Sequence, residues 1–173
     1  MHRIEAYVTL AFLILAVMGV LYLPILFFLK KRGIGLMRQC SYVALIWSVF
    51  LIVFATILFT WPITFGPEQH SINLMPFEWL GDTDPMRTFV EFFIPNIMMF
   101  VPFGYFLPVV FRSMRRFYKT ACLAFCVSFS VEFFQYFIGR GSNVDDLIAN
   151  SLGCMIGYGL FKLCDRLFRH RIG

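Results

Sequence analysis

The sequence has few charged residues for its length. Only 14% of its 173 residues are Asp, Glu, Lys or Arg, whereas 60% are hydrophobic. A soluble domain of ordinary composition is roughly one-quarter charged and about one-half apolar. The shortage of charge therefore excludes an ordinary soluble domain and predicts an integral membrane protein. The length fits a single transmembrane domain over residues 1–173, and no change in composition marks a second one.

Paired metal-binding motifs and internal repeats are lacking as well. None of the five cysteines forms a C-x-x-C pair, all of them lie in or beside apolar runs, and no histidine lies near them. Such cysteines fit small packing side chains better than a disulfide framework or a metal site. The sequence therefore predicts neither a metal nor a cofactor.

Long apolar runs take up most of the chain. A helix crosses a bilayer in roughly 20 residues at about 1.5 Å rise per residue. Five runs fit that length, at residues 6–29, 40–61, 89–111, 120–138 and 146–163. The first run is too long for the apolar part of a signal peptide and is followed by basic residues instead of a cleavage site. We expect an all-α fold, a single bundle of five transmembrane helices.

The basic residues are distributed unevenly between the two ends of this expected bundle. Twelve of the 15 lie in the loops at 30–38 and 112–119 and in the tail from residue 162, which five spans place on one side. Because Lys and Arg are enriched in cytoplasmic loops, we expect the N-terminus outside and the C-terminus in the cytoplasm. The net charge of +5 then reflects topology, so no nucleic-acid partner is expected.

Residues 63–88 and the run that follows them have features of their own. The segment 63–88 is rich in turn-forming residues and has alternating apolar side chains, so we expect it to lie against the membrane interface. Whether it re-enters the membrane as a lid stays open. The third run contains three prolines, which predict a bent or broken helix.

Polar side chains recur within the last three runs. Such groups are costly in a membrane, which makes the ionisable ones functional candidates. At about 1.5 Å per residue, Asn96, Glu132 and Asn150 lie about 10, 9 and 6 Å from the outer ends of their runs. Ser128, Glu132 and Gln135 fall on one helical face. We therefore expect a polar pocket in the outer half of the membrane.

The turn between the last two runs adds charged groups to this set. Arg140 lies in the turn, and Asp145 and Asp146 begin the fifth run. Further along, Gly153-x-x-x-Gly157 allows close approach of another helix backbone. A structural role is the alternative for each polar group: the aspartates cap the helix, the arginine pairs with a carboxylate, and the others hydrogen-bond between helices.

Four motif blocks follow one another along the chain. They are Asn73-Leu74-Met75-Pro76-Phe77, then Asn96-x-x-x-Phe100-x-Pro102-x-Gly104, then Ser128-x-x-x-Glu132-x-x-Gln135 with Gly139-Arg140, and last Asp145-Asp146-x-x-x-Asn150-x-x-Gly153-x-x-x-Gly157. In this order, over a core of about residues 40–161, they resemble the VanZ-like family. One position departs from the pattern, because Asn143 stands where members often have Asp.

The resemblance implies a role in the cell envelope. The founding members accompany glycopeptide-resistance clusters of Gram-positive bacteria and are associated with low-level teicoplanin resistance, whereas most members lie outside such clusters. The expected location is thus the cell membrane, as a multi-pass protein of a Gram-positive plasma membrane. The family resemblance does not settle a biochemical mechanism.

Three functions fit these residues. The first is to bind or shield an amphiphilic envelope ligand, either a lipoglycopeptide such as teicoplanin or a lipid-linked cell-wall precursor, in an outward-facing pocket. In this hypothesis Arg140 engages an anionic head group through charge-assisted hydrogen bonds. The expected ligand-binding residues are Asn73, Asn96, Ser128, Glu132, Gln135, Arg140, Asp145, Asp146 and Asn150.

The second function is an enzyme that acts on a lipid-linked substrate, with Glu132 as its acid or base. The sequence offers no serine with a nearby histidine and no metal-ligand set to support it. The third is a small lipid transporter, for which a homodimer would have to supply a pathway because there is no internal repeat. In all three, the expected partner is a membrane lipid or a lipid-linked precursor.

Overall fold

The computed structural model describes residues 19–20, 22–56, 71–139 and 141–169, and these residues are mostly helical. The chain divides into two compact units, residues 1–43 and residues 44–173. In the first unit, helix α1 covers residues 22–31. Most of the predicted first run, 6–29, lies outside the described residues. The single domain over residues 1–173 stays a prediction.

Among the described residues, four helices are long and apolar enough to cross a membrane. They are α2 (Leu36–Thr56), α3 (Pro85–Val110), α4 (Phe117–Phe137) and α5 (Val144–Arg169). Their positions confirm the helical membrane character predicted from the last four apolar runs. The helices begin two to four residues before the predicted starts. Helix α5 also ends later, because its basic last turns continue the helix beyond the apolar run.

Helix α3 contains the three prolines and a local change of helix type. Its first four residues are α-helical, Phe89–Phe93 form a π-helical turn, and Ile94–Val110 are α-helical again. The helix therefore continues through the prolines without a break in its helical assignment. The π turn widens the helix where its aromatic side chains meet the preceding loop, and such turns are frequent at functional sites.

Helices α3 and α5 form the closest helix pair. Gly153 faces the carbonyl of Ile97 and Gly157 faces that of Val101, so closely that a Cβ at either glycine would overlap the opposite backbone. Gly104 on α3 lies against the α5 backbone in the same way. The two glycines of α5 thus permit the close backbone approach expected of them, and the partner is α3.

A small apolar core lies among the helices of the second unit. Its most buried side chains are Leu45, Ile52, Met99, Phe100, Phe103, Leu107, Ala124, Val131 and Cys154. By contrast, four phenylalanines on one side of α4 are about half exposed, at positions 125, 129, 133 and 137. An apolar surface of this kind suits contact with lipid.

The loop before α3 and the turn before α5 meet at one end of the helices. Strand β1 (Ile72–Asn73) pairs in parallel with β2 (Ser142–Asn143), with Ile72 opposite Ser142 and Asn73 opposite Asn143. The loop then makes a 3-10 turn at Glu78–Gly81. The all-α expectation missed this pairing, because the contact joins segments far apart in sequence. The part of the predicted loop up to residue 70 lies outside the described residues.

Candidate ligand-binding site

A cavity of about 350 Å³ lies at the end of the helices where β1 and β2 pair. The loop after β1, the start of α3 and the start of α5 supply its walls. The lining residues are Asn73, Glu78, Trp79, Asp82, Thr88, Phe92, Phe93, Asn143, Asp145 and Asp146. Four of them are acidic and three are aromatic, whereas no Lys or Arg occurs among these described lining residues. The cavity therefore combines negative charge with an apolar wall.

Asp145 is the most buried carboxylate of this cavity. Its side chain is only 3% exposed, and Oδ1 accepts a hydrogen bond of 2.8 Å from the backbone N–H of Phe77. Its Oδ2 is buried and accepts no hydrogen bond from any residue in the described part of the chain. Asp145 therefore fixes the loop above the site through one oxygen and has acceptor capacity left on the other.

Asn143 caps the N-terminus of α5. Its Oδ1 accepts a hydrogen bond of 3.0 Å from the backbone N–H of Asp145, the usual arrangement of an N-cap residue. Asp145 and Asp146 lie in the first turn, where acidic side chains interact favourably with the helix dipole. The hydrogen-bonding cap predicted for the aspartates is thus made by the preceding asparagine.

Asp146 connects α5 to α3 at the wall of the cavity. Its Oδ1 accepts a hydrogen bond of 2.6 Å from Nδ2 of Asn96. A carboxylate acceptor makes this bond charge-assisted, and such bonds are shorter and stronger than neutral ones. Asn96 does not line the cavity itself. Its contact holds a cavity-lining carboxylate in place.

Glu132 lies on α4 and holds the turn that leads to α5. The side chain is 5% exposed, and Oε2 accepts hydrogen bonds from the Ser142 hydroxyl at 3.1 Å and from the backbone N–H of Asn143 at 3.0 Å. Glu132 is not among the residues that line the cavity. These contacts attach the β2 strand to α4.

The remaining polar residues of α4 and α5 join helices to one another. Nδ2 of Asn150 donates to the Ser128 hydroxyl at 3.0 Å, and Nε2 of Gln135 donates to the carbonyl of Thr56 on α2 at 3.2 Å. The side chains of Ser128, Gln135 and Asn150 are at most 3% exposed. None of the three lines the cavity. Their described contacts are those of interhelical hydrogen bonds.

Four aromatic rings support the loop on one side of the cavity. Trp79 stacks on Phe89 with centroids 5.7 Å apart, and it also contacts Phe77 at 6.5 Å and Phe93 at 6.0 Å. The Nε1 atom of Trp79 is buried and donates no hydrogen bond to a described residue. Phe77 has a φ of 59°, a region that few residues other than glycine adopt. The π turn of α3 supplies two of these rings.

The structure thus brings three of the sequence-predicted ligand-binding residues to the cavity wall: Asn73, Asp145 and Asp146. Asn96 donates to one of these three, Asp146, without lining the cavity itself. Glu132 holds the β2 strand, and the hydrogen bonds of Ser128, Gln135 and Asn150 join helices. Arg140 lies outside the described residues. That any of these residues binds a ligand stays a prediction.

Sequence reasoning missed several lining residues, among them Glu78, Trp79 and Asp82. Two acidic residues and a tryptophan close together in this loop could have suggested a site. Their contact with α5, which makes them part of the cavity, does not follow from the sequence. In the described residues, no group of three His, Cys, Asp or Glu side chains is arranged to hold a metal ion.

Comparison with known proteins places this architecture in a family. A family model described as VanZ/LLP1 matches residues 40–165, which contain all the residues that line the cavity. Protein VanZ of Enterococcus faecium is 31% identical over 125 residues, which cover 72% of this chain and 70% of that protein. No solved structure matches the chain. The motifs, the helices and these matches agree, and the chain belongs to the VanZ/LLP1 family.

Proposed function

We propose that this protein binds an amphiphilic ligand of the cell envelope in the acidic cavity, on the outer side of the plasma membrane of a Gram-positive cell. The observation that carries the proposal is the make-up of the cavity wall. Asp145 and Asp146 form a polar side, whereas Phe92 lines the cavity and is 58% exposed. A polar head group fits the first surface, and an acyl chain fits the second.

The distribution of charge supports an outward-facing cavity. The basic 3-10 turn Arg112–Arg115 connects α3 to α4, at the other ends of the helices from β1 and β2. Because Lys and Arg are enriched in cytoplasmic loops, this turn belongs in the cytoplasm and the cavity outside. Five spans with the N-terminus outside and the C-terminus in the cytoplasm agree with that orientation.

Two engineered cysteines test the orientation. Thr83→Cys lies in the cavity loop and Ser113→Cys in the basic turn, each in a background that lacks the native cysteines. A membrane-impermeant maleimide applied to intact cells should label the first and not the second. The opposite labelling pattern would place the cavity in the cytoplasm and contradict the proposal.

The expected ligand is a lipoglycopeptide such as teicoplanin or a lipid-linked cell-wall precursor. Family resemblance supplies the connection to glycopeptide resistance, and the cavity supplies a physical reason for preferring an acylated molecule. Teicoplanin carries an acyl chain and vancomycin does not. A site with one polar wall and one exposed apolar wall therefore favours teicoplanin.

Binding is better supported than catalysis. The enzyme hypothesis depends on Glu132, whose two described hydrogen bonds hold the turn before α5 and whose side chain does not line the cavity. A proton-transfer group must come within hydrogen-bonding reach of its substrate. Asp145 and Asp146 line the cavity and Glu132 does not, which supports binding over acid–base catalysis by Glu132.

Binding can be measured with purified protein in detergent micelles. The protein should bind teicoplanin, and Asp145→Asn should weaken that affinity about tenfold or more, the usual cost of losing a charge-assisted hydrogen bond. Glu91→Gln is the matched control, because it removes an exposed carboxylate near the same end that does not line the cavity. Equal affinity of the Asp145→Asn variant and the unmodified protein for teicoplanin and for a lipid-linked precursor would refute a ligand site here.

A further inference from the structure

Two buried polar atoms at the cavity lack hydrogen-bond partners among the described residues. They are Oδ2 of Asp145, an acceptor, and Nε1 of Trp79, a donor. A buried carboxylate oxygen without a donor is costly, and the cost is larger for a charged group than for a neutral one. Both residues line the cavity, so a ligand that shifts this wall slightly can reach the two atoms and supply what the protein does not.

The charged side chains of the cavity wall determine whether a cationic or an anionic ligand is favoured. The described lining residues include the four carboxylates of Glu78, Asp82, Asp145 and Asp146 and no basic side chain. Each of these acids accepts a hydrogen bond from a neutral group, Glu78 from Asn73 at 2.7 Å, Asp82 from Thr88 at 3.0 Å, and Asp145 and Asp146 from the donors given above. Such donors leave the negative charge in place. The cavity therefore favours a cation.

We infer that the cavity binds an ammonium group of an amphiphile, with its N–H groups directed to Asp145. This inference rests on the proposed function and specifies its ligand. An ammonium group can donate to the carboxylate while its positive charge lies beside the rings of Trp79, Phe92 and Phe93, an interaction that stabilises organic cations. The Trp79 N–H then donates a hydrogen bond to an oxygen of the same head group.

A divalent metal ion fits the same wall less well. Calcium requires six to eight oxygen ligands at close range. The described residues contain no group of three acidic, histidine or cysteine side chains placed to provide them. An ammonium group needs only one or two acceptors, and it also gains from aromatic rings. The cavity provides that combination.

The experiment compares amphiphiles in pairs, in each of which N-acetylation removes the positive charge of one nitrogen. The first pair is dihexanoyl phosphatidylethanolamine and its N-acetylated form, and the second is octyl glucosaminide and octyl N-acetylglucosaminide. Binding is followed by the fluorescence of Trp79 in a full-length variant with Trp47→Phe and Trp61→Phe. We expect the amine of at least one pair to bind about tenfold more tightly than its N-acetylated form, as a charge-assisted hydrogen bond predicts.

The pattern across the two pairs identifies the source of the ammonium group. Preference within the phospholipid pair alone supports a lipid head group, preference within the sugar pair alone supports an amino sugar, and preference in both supports any amine of this size. Equal affinity within both pairs, lost in Asp145→Asn, overturns the ammonium inference while leaving the proposed binding function. Absence of binding by all four compounds overturns the ammonium inference, and the teicoplanin measurement then decides the proposed function separately.

Two variants test whether the preference for the amine over its N-acetylated form arises in the cavity. Asp145→Asn keeps the shape and an acceptor for Phe77 but removes the charge, so the preference for the amine should disappear. Glu91→Gln should retain the full preference. Where Asp145→Asn fails to fold, Asp82→Asn decides the matter: a reduced preference supports the inference, and an unchanged one overturns it.

Discussion

The backbone N–H of Phe77 donates to Oδ1 of Asp145 over 2.8 Å, and the two residues are 68 positions apart in sequence. This bond joins the loop before α3 to the first turn of α5. It also helps to hold Phe77 at its φ of 59°, a conformation that the chain would otherwise leave. The wall of the cavity therefore depends on a contact that neither segment can make alone.

Replacing Asp145 by alanine should release this loop. The Phe77 N–H would lose its acceptor, and we expect a loss of about 1–3 kcal/mol of unfolding free energy. Hydrogen exchange at residues 71–84 should become faster, whereas Asp145→Asn, which keeps an acceptor oxygen, should retain most of the protection. Unchanged exchange in the alanine variant would show that the aromatic contacts alone position the loop.

Replacing Gly153 by alanine should destabilise the α3–α5 pair. The added methyl group would overlap the Ile97 carbonyl, and overpacking of this kind costs about 1–3 kcal/mol. Gly159→Ala is the matched control on the same helix, because nothing lies within 4 Å of its added methyl group. Unfolding in detergent mixtures of increasing denaturing strength measures both. Equal loss in the two variants would contradict the close packing at Gly153.

Ser128 and Asn150 should show a measurable coupling energy. A double-mutant cycle with Ser128→Ala and Asn150→Ala isolates their interhelical hydrogen bond, and bonds of this kind in membranes average about 0.6 kcal/mol with a maximum near 1.7. Ser130→Ala is the control, since its hydroxyl donates to the carbonyl of Cys126 within the same helix. Coupling of Asn150 to Ser130 as large as that to Ser128 would rule out a specific contact.

Glu132→Gln separates the structural role of this residue from an acid–base role. Glutamine keeps an oxygen that can accept from Ser142 and Asn143, so the protein should remain folded and bind ligand. Glu132→Ala should cost more, about 1–3 kcal/mol, because it removes the acceptor from buried donors. A folded Gln variant that retains binding but loses a measured turnover of lipid-linked substrate would favour the enzyme hypothesis instead.

Helix positions were readable from the sequence because apolar run length is a local property. The runs at 89–111 and 120–138 correspond to α3 and α4. The pair Gly153 and Gly157 predicted a close helix contact, which the structure shows with α3. The π turn at Phe89–Phe93 was not readable. Nothing in its sequence, FVEFF, distinguishes it from α-helix, and its ring contacts with the preceding loop join residues that only the fold brings together.

The candidate site was harder to predict than the helices for a related reason. Counting depth along the runs brought Asn96, Glu132 and Asn150 to one level, yet they make separate contacts. Helical periodicity predicts the helix face on which a side chain lies but not the residue to which it hydrogen-bonds. Asp145 and Glu78 share a cavity only because the β1–β2 pairing folds the loop over α5, and two-residue strands leave no pattern in a sequence.

The parallel pairing of Ile72 with Ser142 also sets an order for biogenesis. When residues 71–84 leave the ribosome, the segment with which they pair has not been made, and two further helices must be synthesised and inserted first. Until then the acidic and aromatic side chains of the loop lack the α5 residues that complete the cavity wall. The cavity is therefore a late product of membrane insertion, completed only when α5 has begun to enter the bilayer.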